Sequence, residues 1–301
     1  MYPMLAYERT RYCYAQPARA AHSRITILWF ALLLSASSSW AAPIATNTAL
    51  PISTDEIIVR EQLVKTHSSD RFGDITRETN LFELRTVIGY GLTSKLAIFG
   101  VLPIIDIRRT FGDVGTSEFG LGDAAVFVRY EVFRNDQQGR TFRVAPFAGV
   151  RLPTGRDGET GDGSVDFFGG VVATLARTQW VLDTQLRYDL NREADGFDRG
   201  NSVRFESSFQ YRLAPGIVTQ DTTAFVYGVL ELSANRYERN RLGGIADPNS
   251  GGFELYLTPG LQYATRRWIA DLGVKLLIAS DLNGTALEPD YSILTSIRMN
   301  F

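Results

Sequence analysis

The charged residues of this chain fall at every second position of short apolar runs. In residues 180–191, Asp183, Arg187 and Asp189 share one face with Gln185, while Trp180, Leu182, Leu186 and Tyr188 share the other. In residues 202–213, Arg204, Glu206 and Arg212 alternate with Phe205, Phe209 and Tyr211. Successive side chains of a strand point to opposite faces, so each run presents one polar and one apolar wall. Followed through the chain, the polar wall holds Glu83, Arg85, Arg129, Glu131, Arg143, Arg151, Asp183, Arg187, Asp189, Arg204, Glu206, Arg212, Glu231, Glu254, Asp271, Lys275 and Arg298. Such a wall could line an aqueous path and set its selectivity. Its charges could equally pair across strands and fill a narrow barrel. Both signs are mixed, which argues against a strongly anion- or cation-selective pore.

Two other groups could carry chemistry. Residues 156–166 (RDGETGDGSVD) hold Asp157, Glu159, Asp162 and Asp166, oxygen ligands of the kind calcium takes, but not at the spacing of the twelve-residue helix-loop-helix calcium motif. A solvated loop is the simpler reading. His67 and Ser69 give a His-x-Ser spacing, as in some outer-membrane lipid hydrolases, but the sequence around them fixes no orienting acid. There is no Gly-rich phosphate loop and no metal-ligand spacing in the sequence. The expectation is therefore a non-enzyme with no catalytic residue, no metal and no cofactor.

The elements that must position the polar wall are strands. The chain has 301 residues, 45% hydrophobic and 21% charged, within the range of folded proteins. Residues 25–34 (ITILWFALLL) are the one long apolar run, preceded by Arg19 and Arg24 and followed by SASSSWAA. That order describes a secretory signal, with cleavage expected after Ala41. The run is short for a spanning helix, which needs about 20 residues; an inner-membrane anchor is the alternative. The 24 residues before the run are many for a signal, and initiation at Met4 or a misassigned start would explain them. The only cysteine, Cys13, precedes the cut and lacks a lipoprotein context, so stability must come from something other than disulfides. Net charge is −2, and Arg9, Arg11, Arg19 and Arg24 leave with the signal. With no basic excess, nucleic-acid binding is not expected.

After a polar lead-in over residues 42–54, expected in the periplasm, twelve alternating runs follow: 56–66, 81–91, 95–108, 122–134, 141–153, 165–176, 180–191, 202–213, 224–236, 253–264, 268–278 and 290–301. Short and long connections alternate between them, the arrangement of tight periplasmic turns and longer extracellular loops. Tyr90, Phe133, Phe142, Trp180, Tyr211, Phe225, Tyr263, Trp268 and Phe301 gather at the periplasmic ends, and Phe82, Tyr188, Phe205, Phe253 and Tyr291 at the other. These would be two interfacial girdles. The expected fold is an all-β, transmembrane, antiparallel up-and-down β-barrel of about 12 strands, over residues 55–301. A soluble lipocalin-type barrel fits the same alternation with its faces reversed; the signal and the run lengths favour the membrane. The last run, DYSILTSIRMNF, sets the phase. Arg298 on the lipid side near mid-membrane would cost about 2–4 kcal/mol, so it must face inward. Runs 56–66 and 95–108 do not resolve, because Glu61 and Asp106 spoil the pattern. The sharpest expectation is a ladder between 56–66 and 290–301 that closes the barrel and removes its edges.

Tyr90-Gly91-Leu92-Thr93, Ser94-Lys95-Leu96, Leu102-Pro103, Gly120-Leu121-Gly122-Asp123 and Leu152-Pro153-Thr154-Gly155, in that order, resemble the outer-membrane barrel transporters linked to the meta-pathway of phenol degradation. The resemblance covers about residues 81–301. It implies an outer-membrane barrel for passive passage of small, aromatic or hydrophobic solutes, and a terminal Phe301 recognised by the barrel assembly machinery. It transfers no catalytic residue. The partners expected are outer-membrane lipid, that machinery and a small-molecule solute. A sealed structural or adhesive barrel is the alternative function; a lipid-modifying barrel enzyme centred on His67 is the third.

Overall fold

The computed structural model describes residues 41–301. The expected signal over residues 1–41 lies, apart from Ala41, outside the described residues. Twelve antiparallel strands form the wall. They are β1 (Ile57–Phe72), β2 (Ile75–Gly91), β3 (Leu96–Phe111), β4 in two pieces (Val114–Leu121 and Ala124–Tyr130), β5 (Arg140–Leu152), β6 (Asp166–Arg177), β7 (Trp180–Leu190), β8 (Ser202–Ala214), β9 (Ala224–Tyr237), β10 (Gly252–Thr265), β11 (Trp268–Leu282) and β12 (Tyr291–Asn300). Each pairs with its sequence neighbours, and β12 returns to β1 with Ile58 opposite Asn300 and His67 opposite Tyr291. Phe301 closes the seam, donating to and accepting from the backbone of Ile57 at 2.8 and 3.1 Å. The ladder expected between the first and last runs is present, so the backbone polar groups of both edges are satisfied as a bilayer demands.

Register fixes the faces. Arg298 lies opposite Arg60 and Ile269 on the inside, between outward Ile297 and Met299. In β1 the inward set is Ile58, Arg60, Gln62, Val64, Thr66 and Ser68. Glu61 and Lys65 therefore face out, where Thr86 Oγ1 donates to Glu61 at 2.9 Å and Lys65 lies over the Phe82 ring. Asp106 also faces out and pairs with Arg108 at 3.2 Å. These outward charges are why two runs do not read cleanly in the sequence. Fourteen aromatics were expected in the girdles, and Phe225 is the exception to that placement: its register beside Ala264 turns it inward, where it packs against the buried apolar cluster around Tyr227.

Two stretches read as loops are strand. Residues 67–72 and 75–80 continue β1 and β2 to a tight turn at Gly73, and residues 109–111 and 114–121 do the same across Gly112. Both glycines have φ near +60°, which a Cβ would oppose. Beyond the bilayer both faces of a hairpin are wet, so the alternation that betrays a strand is lost. The upper piece of β4 pairs with β3 alone. On its other side the loop of residues 154–164 takes the strand's place: Arg156 donates to the Phe119 carbonyl and Thr160 Oγ1 to the Leu121 carbonyl at 2.6 Å. The two pieces are separated at Gly122 and Asp123, and Asp123 caps the N–H groups of Gly155 and Asp162 at 2.9 and 2.8 Å.

Candidate functional site

Residues 42–54 are not a lead-in outside the barrel, as expected, but lie within the lumen. The segment has no regular secondary structure, and its buried backbone groups need partners. The wall supplies them. Glu231 accepts from the N–H groups of Ile44 and Ala45 at 2.7 and 2.9 Å. Gln62 Nε2 donates to the Ile44 carbonyl at 2.8 Å, and Arg60 donates to the same oxygen. Gln262 both donates to and accepts from Ala42. Farther along, Thr174 Oγ1 accepts from Ala49 N–H at 2.7 Å, and Arg129 donates to the carbonyls of Thr48 and Leu50 at 2.6 and 2.8 Å.

Apolar seats hold the same segment. Ile44 is fully buried, and its side chain fills the space that a Cβ on Gly260 or Gly273 would take. Those glycines are opposite each other on β10 and β11, so one hollow receives one side chain. Full burial of such a residue contributes about 1.5–3 kcal/mol. Ile52 sits in a second hollow at Gly89, beside Phe99 and Ile58. Ala49 lies between them, packed with Phe147, Phe168 and Val172.

Ala49 and Ile52 cover an aromatic row on the inner wall. Phe99, Phe127, Phe147 and Phe168 come from four successive strands; Phe99 stacks on Phe127 at 4.6 Å, and Phe147 and Phe168 meet Phe127 edge-on at 6.2 and 6.0 Å. Gly149 and Gly170 leave the room these rings occupy. Guanidinium groups cap both ends, Arg129 over Phe99 at 4.9 Å and Arg187 over Phe168 at 4.0 Å. Above this row the wall charges pair with one another. Asp189 accepts from Arg187 at 2.6 Å, Arg204 at 2.7 Å and Arg151 at 3.3 Å, and Arg151 also reaches Asp166 at 3.2 Å.

Of the residues named for the polar wall, those within ladders share the inner face by register, and Glu131 lies outside any ladder, in the break after Tyr130. They do not form one group. Arg129 and Glu231 hold the inserted segment. Asp183, fully buried, accepts from Thr174 and from Gln210 at 3.1 Å. Glu131 joins Arg143 and Arg134 at the periplasmic end, at 2.9 and 2.6 Å. Glu83 pairs with Arg85 on its own strand at 2.7 Å, and Asp271 with Arg60 at 3.6 Å. Gln185 of β7 donates to Glu206 at 2.6 Å, Lys275 lies over the Tyr256 ring at 4.0 Å, and Arg212 lies over Phe225 at 5.8 Å. Glu254 is buried beside that lysine, and Arg298 faces Arg60 across the closing seam. Sequence reasoning missed Arg60, Gln62, Thr174 and Gln262, all bonded to the inserted segment. Gln262 shares its parity with Glu254, whereas Arg60 and Gln62 lie in the run that Glu61 spoils; the partner was legible for none of them.

The remaining sequence candidates separate. His67 Nδ1 lies 3.0 Å from the amide oxygen Oδ1 of Asn80, on the outer face. Ser69 donates to Asp290 at 3.0 Å, and the imidazole nitrogens lie 3.7 Å from Asp290 and 3.8 Å from Glu78. In residues 156–166 the carboxylates are dispersed: Asp166 serves Ser164 and the Arg192 N–H, Asp162 pairs with Arg199, and Glu159 with Arg156. Asp162 is held above the usual carboxylate range by burial, against the pull of Arg199.

The barrel is similar to solved outer-membrane proteins. It matches an outer-membrane channel from Pseudomonas putida F1 with a TM-score of 0.65 at 15% identity, over 87% of this chain and 100% of that one. It also matches the β domain of the Bordetella autotransporter BrkA with a TM-score of 0.47 at 14% identity, over 83% and 100% of the two chains. No curated protein sequence matches it. Residues 63–277 match the family described as "Putative MetA-pathway of phenol degradation", and the chain belongs to it.

Proposed function

We propose that this chain is an outer-membrane channel for passive passage of small aromatic or hydrophobic solutes, gated by its own residues 42–54. The observation that carries the reading is the inner aromatic row of Phe99, Phe127, Phe147 and Phe168, which the segment covers. Rings exposed by a shift of Ala49 and Ile52 would offer an aromatic solute edge and face contacts worth about 0.5–1.5 kcal/mol each. The polar wall then lines the path on either side. Cleavage after Ala41, recognition of Phe301 by the barrel assembly machinery and contact of the outward apolar band with lipid belong to the same reading.

The test is flux into proteoliposomes of a charged monoaromatic that crosses lipid slowly, such as benzenesulfonate, compared with glucose. Folding is checked by heat-modifiable migration. Faster flux of the aromatic, reduced by Phe127→Ala with Phe168→Ala, is the expected result. No flux of either solute through folded protein would instead favour a second reading, a sealed barrel that displays loops. The occupied lumen is the observation on that side.

A further inference from the structure

Five arginines on the extracellular rim have a carboxylate of their own. Arg77 is bonded to Asp70, Arg108 to Asp106, Arg109 to Glu118, Arg156 to Glu159 and Arg199 to Asp162. One sector differs. Arg236, Arg239 and Arg241 line a groove of about 520 Å³ with Glu238, Asp281 and Asn283. Among the described residues none of these three guanidinium groups makes an ion pair; Arg239 has one long hydrogen bond, to Asn283 at 3.4 Å. Glu238 is already engaged by Asn201, at 3.0 Å.

The groove's place in the wall limits what it can hold. Arg236 faces outward in β9, directly opposite outward Val203 in β8 and Phe253 in β10. One row toward the periplasm, register gives Phe205, Ala234 and Leu255, and Leu232 follows; Phe205 and Leu232 are exposed. The arginines therefore sit where the apolar band ends. Arg239 and Arg241 continue upward from Arg236, and Gly251 and Gly252 let the neighbouring backbones close around the groove: a Cβ on either would collide with the carbonyls of Glu238 or Asp281.

We infer that this groove binds the phosphorylated headgroup of an outer-leaflet amphiphile, with its acyl chains on Phe205, Leu232 and Phe253. Guanidinium groups recognise phosphate through paired N–H donors, and basic pockets at a membrane interface favour anionic headgroups. The apolar band beneath the groove selects a lipid over a free phosphate, because only a lipid can use both surfaces.

Native mass spectrometry of the folded, detergent-held full chain tests this with three probes: lipid A, its dephosphorylated form, and inorganic phosphate as competitor. Lipid A is expected to bind at least about tenfold more tightly than the dephosphorylated lipid, a difference equivalent to about 1.4 kcal/mol. Arg236→Gln with Arg239→Gln and Arg241→Gln is expected to abolish that preference. The control, Arg108→Gln with Arg156→Gln on another sector, is expected to keep it. Equal binding of the two lipids, an unchanged preference in the triple variant, or an equal loss in the control would overturn the proposal. So would displacement of lipid A by an equimolar amount of inorganic phosphate, which would make the groove a free-phosphate site. All five side chains are exposed, and heat-modifiable migration confirms that each variant is folded.

Discussion

The two halves of the lumen are filled in different ways. Toward the periplasm, wall groups are satisfied by the inserted segment: Glu231 by two of its N–H groups, Arg129 by two of its carbonyls, Thr174 by a third N–H. Toward the extracellular side, wall is satisfied by wall, with Asp189 shared by arginines from three strands. The first kind of filling is removable, because its partner is a strip of chain outside the ladders, which begin at Ile57. The second is part of the sheet, and its members cannot leave. If a solute passes, the segment must yield and the charge mesh must be narrow but permanent.

Deleting residues 42–53 is the largest available perturbation of that contrast. Single-channel conductance in planar bilayers is expected to rise several-fold, since the lower lumen loses Ile44, Ala49 and Ile52 together. An unchanged conductance would mean that the mesh around Asp189 is the constriction, reversing the assignment of the two halves. Ile44→Ala is a smaller version. Emptying the Gly260–Gly273 hollow costs about 2–5 kcal/mol, on the scale of buried large-to-small changes. The readout is thiol labelling at an Ala49→Cys reporter, in a chain whose only natural cysteine is Cys13. Ala49 is 1% exposed, so labelling is expected to be slow in the parent and clearly faster with Ile44→Ala.

The same contrast governs what could be read from the sequence. The mesh and the wall were legible because bilayer and lumen impose opposite demands on alternate residues: Arg187 and Arg204 cannot share a face with Leu186 and Phe205. Closure followed from the same logic once Arg298 fixed the phase of β12. The inserted segment was not legible. Residues 42–54 (APIATNTALPIST) carry no charge before Asp55 and no period, because an extended strand of chain inside a barrel is contacted on all sides at once. Its signal lies elsewhere, in glycines at inward positions such as Gly260 and Gly273, which leave a hollow that some other residue must fill. Glu61 and Lys65 were unreadable for the opposite reason. They break the outward apolar face, and only their contacts with Thr86 and Phe82 make that break intelligible.

Glu231→Gln separates charge from shape in the lower half. The amide keeps the side-chain volume, but it offers one acceptor oxygen in place of two, so one of the N–H groups of Ile44 and Ala45 loses its partner. An unmet buried donor costs about 1–3 kcal/mol. Labelling at Ala49→Cys is expected to rise, by less than with Ile44→Ala. An effect as large as the deletion would show that Glu231 is the single latch and the apolar seats are secondary.

Asp189→Asn makes the complementary change in the upper half, and its effect on the segment is expected to be the smallest of the series. Asp189 makes no contact with residues 42–54; its partners are Arg151, Arg187 and Arg204, with a longer reach from Ser202 at 3.5 Å. Losing its carboxylate leaves those arginines with Asp166 and Glu206 as the nearest compensation and adds one net positive charge to the mesh. The strands remain laddered on both sides, so the barrel stays closed and labelling at Ala49→Cys stays at the parental rate. What moves is selectivity. In the background deleted for residues 42–53, the reversal potential under a salt gradient should shift toward the anion, because fixed positive charge in a narrow path raises the local anion concentration. Faster labelling at Ala49 would instead mean that the mesh and the segment are held as one unit, and that the division of the lumen into a removable half and a permanent half is wrong.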